Sequence, residues 1–215
     1  MFKTIIFVFD GVLANCKDLH YKALNKSLET VDKKYIISRE EHLTIYDGLP
    51  TNKKLELLHT NKGFPLDLKE KINKLKQVFT IELIKSDMSF DERLRDVLKK
   101  LKEDGYKIYV ASNSIRETLQ LMLYKTGLIE FVDYFLSNND VIHPKPHPEI
   151  YMKAMIHAGV SPSETLIVED SFHGREAALA SGAKLCPVDS PNDVTYERIK
   201  SYIDKNTNQD TTNKK

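Results

Sequence analysis

Only two of the 215 residues are cysteines, and Cys16 and Cys186 stand far apart with no CxxC or Cys/His spacing. That scarcity excludes a disulfide framework and a zinc site, and it points to a reducing compartment. An imbalance of charge is also missing, since 32 Lys and Arg face 31 Asp and Glu for a net charge of +1. Neither nucleic acid nor an anionic membrane surface is therefore expected as a partner, and a charged small substrate has to be attracted locally. Long hydrophobic runs are absent too. The first apolar stretch, Ile5 to Phe9, is far too short to span a bilayer, and Asp10 follows it with no signal-peptide cleavage pattern. The expectation is a soluble, cytoplasmic protein; no internal repeat is evident.

What is present suits a packed interior. Hydrophobic residues make up 41% of the chain, enough for one substantial domain or for a core with a smaller domain inserted. The segment from Thr4 to Phe9 is a continuous apolar run stopped by Asp10-Gly11, the pattern of a strand buried on both faces. Three later runs share that character: Tyr106 to Ala111, Thr165 to Val168 and Ala183 to Val188. Tyr134-Phe135-Leu136 is a weaker candidate. Helical patterns lie between them, the clearest placing Leu94, Val97, Leu98 and Leu101 on one face and stopping at Asp104-Gly105. Alternation of this kind predicts an α/β fold with a Rossmann-like parallel sheet whose strand ends share one edge, where such sheets bind ligands.

Residues 15–89 break the alternation. They are rich in Lys and Leu, read as amphipathic helices and offer no buried strand, so they form an expected all-helical insertion in a core of residues 1–14 and 90–203. The insertion is punctuated at Asp47-Gly48-Leu49-Pro50-Thr51 and at Gly63-Phe64-Pro65. Residues 204–215 are polar without an apolar period and are expected to be disordered.

Four polar clusters follow the strands or their loops: Asp10-Gly11-Val12, Ser112-Asn113, Lys145-Pro146-His147-Pro148 and Glu169-Asp170-Ser171. Together they supply acidic oxygens for Mg²⁺, a hydroxyl and backbone amides for phosphate oxygens, and an ammonium to neutralise developing charge. Each has a plainer reading. Asp10 before Gly11 suits a turn, Ser171 suits a helix N-cap, and a lysine in a proline-rich loop is commonly just solvated.

In order and spacing, Phe7-Val8-Phe9-Asp10-Gly11-Val12-Leu13, Val110-Ala111-Ser112-Asn113, Lys145 to Tyr151, and Val168-Glu169-Asp170-Ser171 resemble the four motifs of the haloacid dehalogenase superfamily. The likeness is to its β-phosphoglucomutase-like and sugar-phosphate phosphatase members, whose helical cap follows the first motif, and it covers nearly the whole chain except the tail. It implies a Mg²⁺-dependent phosphoryl-transfer site. Asp10 would be the acid/base, Ser112 would hold phosphate and Lys145 would neutralise it. Asp10 through its carbonyl, Glu169 and Asp170 would hold the metal. Softer implications place His20, Gly48 and Lys53 of the cap, with Asn113 and Arg116 of the core, at the substrate. His20 reads equally well as a packed or surface histidine beside Leu24 and Leu28.

The first motif departs from the pattern. Where the resemblance implies an attacking aspartate stands Val8, whose isopropyl group neither attacks phosphorus nor coordinates a cation. Taking Asp10 as nucleophile instead would put Val12 in the acid/base role. A natural non-catalytic relative, a substitution that silences turnover and a sequence error all fit this departure. The expected function is a phosphatase of small phosphorylated metabolites, sugar phosphates foremost, with turnover lost or impaired. A binding or regulatory protein and a phosphomutase are the alternatives, and a monomer is the default expectation.

Overall fold

The computed structural model describes residues 1–46 and 49–212, and the chain divides into two compact units, Met1–Asn15 with Ser89–Lys215, and Cys16–Met88. In the second unit, α1 (Lys17–Glu29) buries Leu19, Ala23, Leu24 and Leu28, spaced to share one helix face. A short α2 (Arg39–Glu41), boxed at its start by Ser38 and Glu41, runs into a π-helical turn, His42–Tyr46. Then come α3 (Thr51–Lys62) and α4 (Lys69–Asp87), which packs along α1. Gly63 closes α3 in the left-handed region at φ 67°, which relieves the chain of a Cβ clash as it turns back. Leu24, Leu28, Tyr35, Ile37, Tyr46, Leu55, Leu58, Phe64 and Ile72 form this unit's own core. No strand occurs among its described residues.

The first unit is built on β1 (Thr4–Phe7), β2 (Lys107–Ala111), β3 (Tyr134–Leu136), β4 (Thr165–Glu169) and β5 (Lys184–Pro187). Among the described residues they make one parallel sheet in the order β3-β2-β1-β4-β5. β1 lies in the middle, hydrogen-bonded on both sides, and Ile5, Ile6 and Phe7 have no exposed surface. A strand covered on both faces has no polar side to alternate with, which is why its sequence reads as an unbroken apolar run. The weak Tyr134-Phe135-Leu136 signal is the edge strand β3, only half buried over its first two residues.

Around the sheet lie α5 (Glu92–Glu103), α6 (Arg116–Lys125), α7 (Glu149–Ala158), α8 (Phe172–Ala180) and α9 (Tyr196–Thr212). α5 starts at Asp91, whose carboxylate accepts the Leu94 N–H at 2.9 Å, and it buries the four residues that its periodicity marks, Leu94, Val97, Leu98 and Leu101. α9 corrects the expectation for the tail. The helix runs through Asp204 to Thr212, with the Asn206 amide donating to the Tyr202 carbonyl and the Thr207 hydroxyl to that of Ile203. Ile199 and Ile203 anchor the helix to the core, and a docked helix propagates at little cost into polar residues that would not nucleate one alone.

Both cysteines are buried and free, and burial pushes the Cys186 thiol up to about 11. No helix of the described residues is long and apolar enough to cross a membrane.

Leu98 on α5 has no exposed surface. Leu98→Ala is expected to destabilise the sheet-bearing unit by about 3 kcal/mol, read as an earlier midpoint in urea unfolding, through lost transfer energy plus a residual cavity.

Candidate functional site

Register brings the polar clusters together. Phe7 pairs with Val110 on one side and Val168 on the other, so Val8 to Asp10, Ala111 to Ser112, and Glu169 to Asp170 all leave the sheet at the same edge. β1 leads to β2 on one side while β4 joins it on the other, and this reversal of strand order is the place where open α/β sheets leave a crevice for ligands. After β1 the chain makes a tight turn, with the N–H groups of Leu13 and Ala14 both on the Phe9 carbonyl and Gly11 N–H on that of Ala14. Gly11 sits at φ 82°, and a Cβ there would fall 2.0 Å from Asp170 Oδ2. Glycine is thus required twice over, by the backbone and by the closeness of the Asp170 carboxylate.

The strongest interaction at this edge joins Lys145 to Glu169. Lys145 Nζ lies 3.0 Å from Glu169 Oε2, with 5% of the lysine side chain exposed and none of the glutamate's. Nζ also donates to the Ala111 carbonyl at 3.2 Å. The Tyr151 hydroxyl reaches the same Oε2 at 2.7 Å, while Oε1 accepts from the Asp170 and Ser171 amides and the Ser171 hydroxyl. Burial pushes the Glu169 carboxyl up, but the Lys145 ammonium, the Tyr151 hydroxyl and the Ser171 amide outweigh it and hold the group below the usual carboxylate range. Ser171 doubles as the N-cap of α8, taking the Gly174 N–H at 3.1 Å. Gly174 itself lies flat on the carboxylate, for a Cβ there would come within 1.8 Å of Oε2.

Asp10 is held separately. Its Oδ2 accepts the Ser112 hydroxyl at 3.2 Å and the Ser114 hydroxyl at 3.1 Å, and Ser114 N–H donates to Ser112 Oγ at 3.0 Å. Sequence reasoning singled out neither Ser114 nor Tyr151. The Ser-x-Ser pattern at 112–114 was available as a signal; nothing in the sequence shows that the Tyr151 hydroxyl would be used.

The metal set is thinner than expected. Among the described residues no three His, Cys, Asp or Glu side chains converge into a metal-binding group. Glu169, expected as a metal ligand, here anchors Lys145 and has protein donors on both of its oxygens. Asp170 and the Asp10 carbonyl remain, with the bare Gly11 backbone between them. That set fits a magnesium ion, which demands six oxygens but usually keeps several waters and takes others from a bound phosphate. It does not fit a cation that needs an all-protein cage.

The outlying candidates fare differently. Asn113 belongs to the network, its Oδ1 accepting the Lys145 N–H at 3.4 Å. Arg116, expected at the substrate, here forks onto both oxygens of Asp140 at 3.1 Å and stacks over the Phe135 ring at 4.7 Å, bracing the start of α6. In the helical unit, Lys53 pairs with Glu56 at 3.0 Å, and half-buried His20 lies in the first turn of α1. Gly48 lies outside the described residues.

A parallel sheet with carboxylates, a hydroxyl and an ammonium at the carboxyl edge of its central strands is the frame, and the relatives give its class. Residues 5–188 match the family described as haloacid dehalogenase-like hydrolase, and the chain belongs to that family. It is 29% identical to the pyrophosphatase PpaX of Bacillus pumilus, over 86% of this chain and 82% of that protein. It is likewise 29% identical to the putatively assigned PpaX of Clostridium perfringens, over 87% and 84%. In fold it resembles β-phosphoglucomutase from Clostridium difficile, at TM-score 0.80 and 20% identity over 99% of this chain and 100% of that one. A haloacid dehalogenase hydrolase from Entamoeba histolytica gives TM-score 0.76 at 22% identity, over 91% and 96%.

The loop that carries Lys145 is braced from below by Glu149, whose two oxygens accept the Ile142 and His143 amides at 3.0 and 2.9 Å. Its bond to Lys153, helped by those two amides, holds the Glu149 carboxyl down at about 2. A carboxyl depressed in the folded state contributes stability above its unfolded value of about 4.3, and that contribution fades as pH falls toward the folded value. Glu149→Gln is therefore expected to lower the urea midpoint at pH 7, with the difference from the parent chain closing as pH drops through 4 toward about 2. A difference that stayed constant over this range would reject the assignment.

Proposed function

We propose that this chain binds small phosphorylated metabolites, sugar phosphates foremost, at the edge formed by β1, β2 and β4, and that Val8 silences hydrolysis there. Support comes from one contrast in one place. Lys145 paired with Glu169, Asp10 bonded to Ser112 and Asp170 lying over Gly11 all stand at one edge, whereas Val8, buried just past the central strand, has its N–H on the Val168 carbonyl at 3.1 Å. β1 is paired on both sides, so a slip of one residue would have to break both ladders at once, and no other residue takes the place of Val8.

In this reading Lys145 offers positive charge to the phosphoryl oxygens and Ser112 offers a hydroxyl. Asp10, steadied by Ser112 and Ser114, is placed to hold or release a proton at its carboxylate. Magnesium, when bound, supplies the positive charge that lets a phosphate dianion sit beside Asp10 and Asp170, which would hold it through the Asp10 carbonyl and the Asp170 carboxylate. With the Asp10, Glu169 and Asp170 carboxyl groups all at this edge, phosphate binding should require the divalent cation.

The test is phosphate release over a panel of sugar phosphates, small phosphomonoesters and pyrophosphate, with and without Mg²⁺, on the parent chain and on Val8→Asp. Loss of a catalytic nucleophile costs on the order of a millionfold in a well-studied protease, so Val8→Asp is expected to exceed the parent by at least about ten-thousandfold, and only with Mg²⁺. Turnover by the parent at the same rate would sink the silencing. If Val8→Asp were inert on every substrate and the parent bound no phosphate by calorimetry, the phosphate-site reading itself would fail.

A further inference from the structure

Resting on the phosphate site proposed above, we propose that Tyr151 is a positioning residue of that site: its hydroxyl fixes the Glu169 carboxylate and its ring faces the Lys145 ammonium, so that Lys145 is held rigidly with one hydrogen free for a ligand. Three observations at different atoms carry this. The Tyr151 hydroxyl donates to Glu169 Oε2 at 2.7 Å, the same oxygen that Lys145 Nζ contacts at 3.0 Å. Nζ stands 4.8 Å from the centroid of the Tyr151 ring, within the range of a cation–π contact. The tyrosine has no exposed surface, so the bond from its hydroxyl to Glu169 is shielded from water.

The count of donors makes the consequence specific. An ammonium has three hydrogens, and those of Lys145 go to Ala111 O and Glu169 Oε2, which leaves one. Glu169 takes three donors on Oε1 and two on Oε2, so it cannot rotate without breaking several bonds together. Tyr151 supplies the only one of these five donors that comes from α7. It thereby ties the helix following the Lys145 loop to the carboxylate that holds Lys145. Burial, and then the Glu169 charge, push the Tyr151 hydroxyl well above its ordinary range. A tyrosine that merely filled the core would be replaced by phenylalanine without consequence for Lys145.

The test compares the full chain with Tyr151→Phe, which keeps the ring, and Tyr151→Leu, which loses both features. Nitrogen-detected lysine NMR reads whether the Lys145 ammonium is held and protected, with Lys145→Met assigning the signal. Calorimetry reads the affinity for Mg²⁺ alone and for inorganic phosphate in its presence. A protected Lys145 ammonium is expected in the parent, broadened in Tyr151→Phe and lost in Tyr151→Leu. Phosphate affinity should fall at least about tenfold in Tyr151→Phe, as for the loss of a hydrogen bond to a charged group, while Mg²⁺ affinity stays within about twofold. An unchanged ammonium signal in Tyr151→Phe, or no protected ammonium in the parent, would overturn the proposal whether or not phosphate binds. Mg²⁺ and phosphate affinities falling in parallel would overturn it as well, since a disturbed core moves both. A parent chain with the protected ammonium but no phosphate binding would count against the proposed function and leave the role of Tyr151 in holding Lys145 intact.

Discussion

A single buried carboxylate organises the functional edge of this protein. Glu169 has no exposed surface and gathers donors from four places: Lys145 from the proline-rich loop, Tyr151 from α7, Ser171 from the cap of α8, and the amides that follow β4. An isolated carboxylate at this depth would cost several kcal/mol in lost hydration, and it is stable here only because every oxygen is met. The dependence runs both ways. Removing either member of such a pair typically costs about 3–5 kcal/mol, because the other charge is left buried alone. The end of β2 is drawn in too, through the Ala111 carbonyl on Lys145. The loops that carry chemistry are thus fastened to the sheet through one charged knot.

The same knot explains what the sequence could and could not disclose. Strands β1, β2 and β4 are legible because double-sided burial leaves an apolar run with a polar stop, and α5 because its buried leucines fall on one face. The order of the four motifs is legible because each stop lies at a strand end or in a loop. What escapes is the allocation of partners. Glu169 and Asp170 read as twins in the sequence, yet one turns inward to Lys145 while the other lies over Gly11. Local pattern cannot separate them, since the decision is made by residues at 145 and 151. Arg116 looks like a substrate contact until Asp140, 24 residues on, supplies a forked acceptor. The tail misleads for a related reason: composition reports that residues 204–212 cannot fold alone, and the anchored isoleucines of α9 make that irrelevant.

Val8 separates the fold from the chemistry. β-branched residues suit buried extended chain, and valine just past β1 meets no unsatisfied polar demand: its N–H has the Val168 carbonyl, and the residue is 6% exposed. A carboxylate in its place would join Asp10, Glu169 and Asp170 at the same edge, and like charges gathered there raise one another's cost of ionisation unless a cation is bound. In the cation-free state valine is therefore the more stable occupant. Active sites commonly sacrifice stability to hold like charges close, and losing the nucleophile releases that strain. The fold loses nothing with valine at this position, so an intact sheet and an intact Lys145–Glu169 pair are consistent with the silencing proposed above.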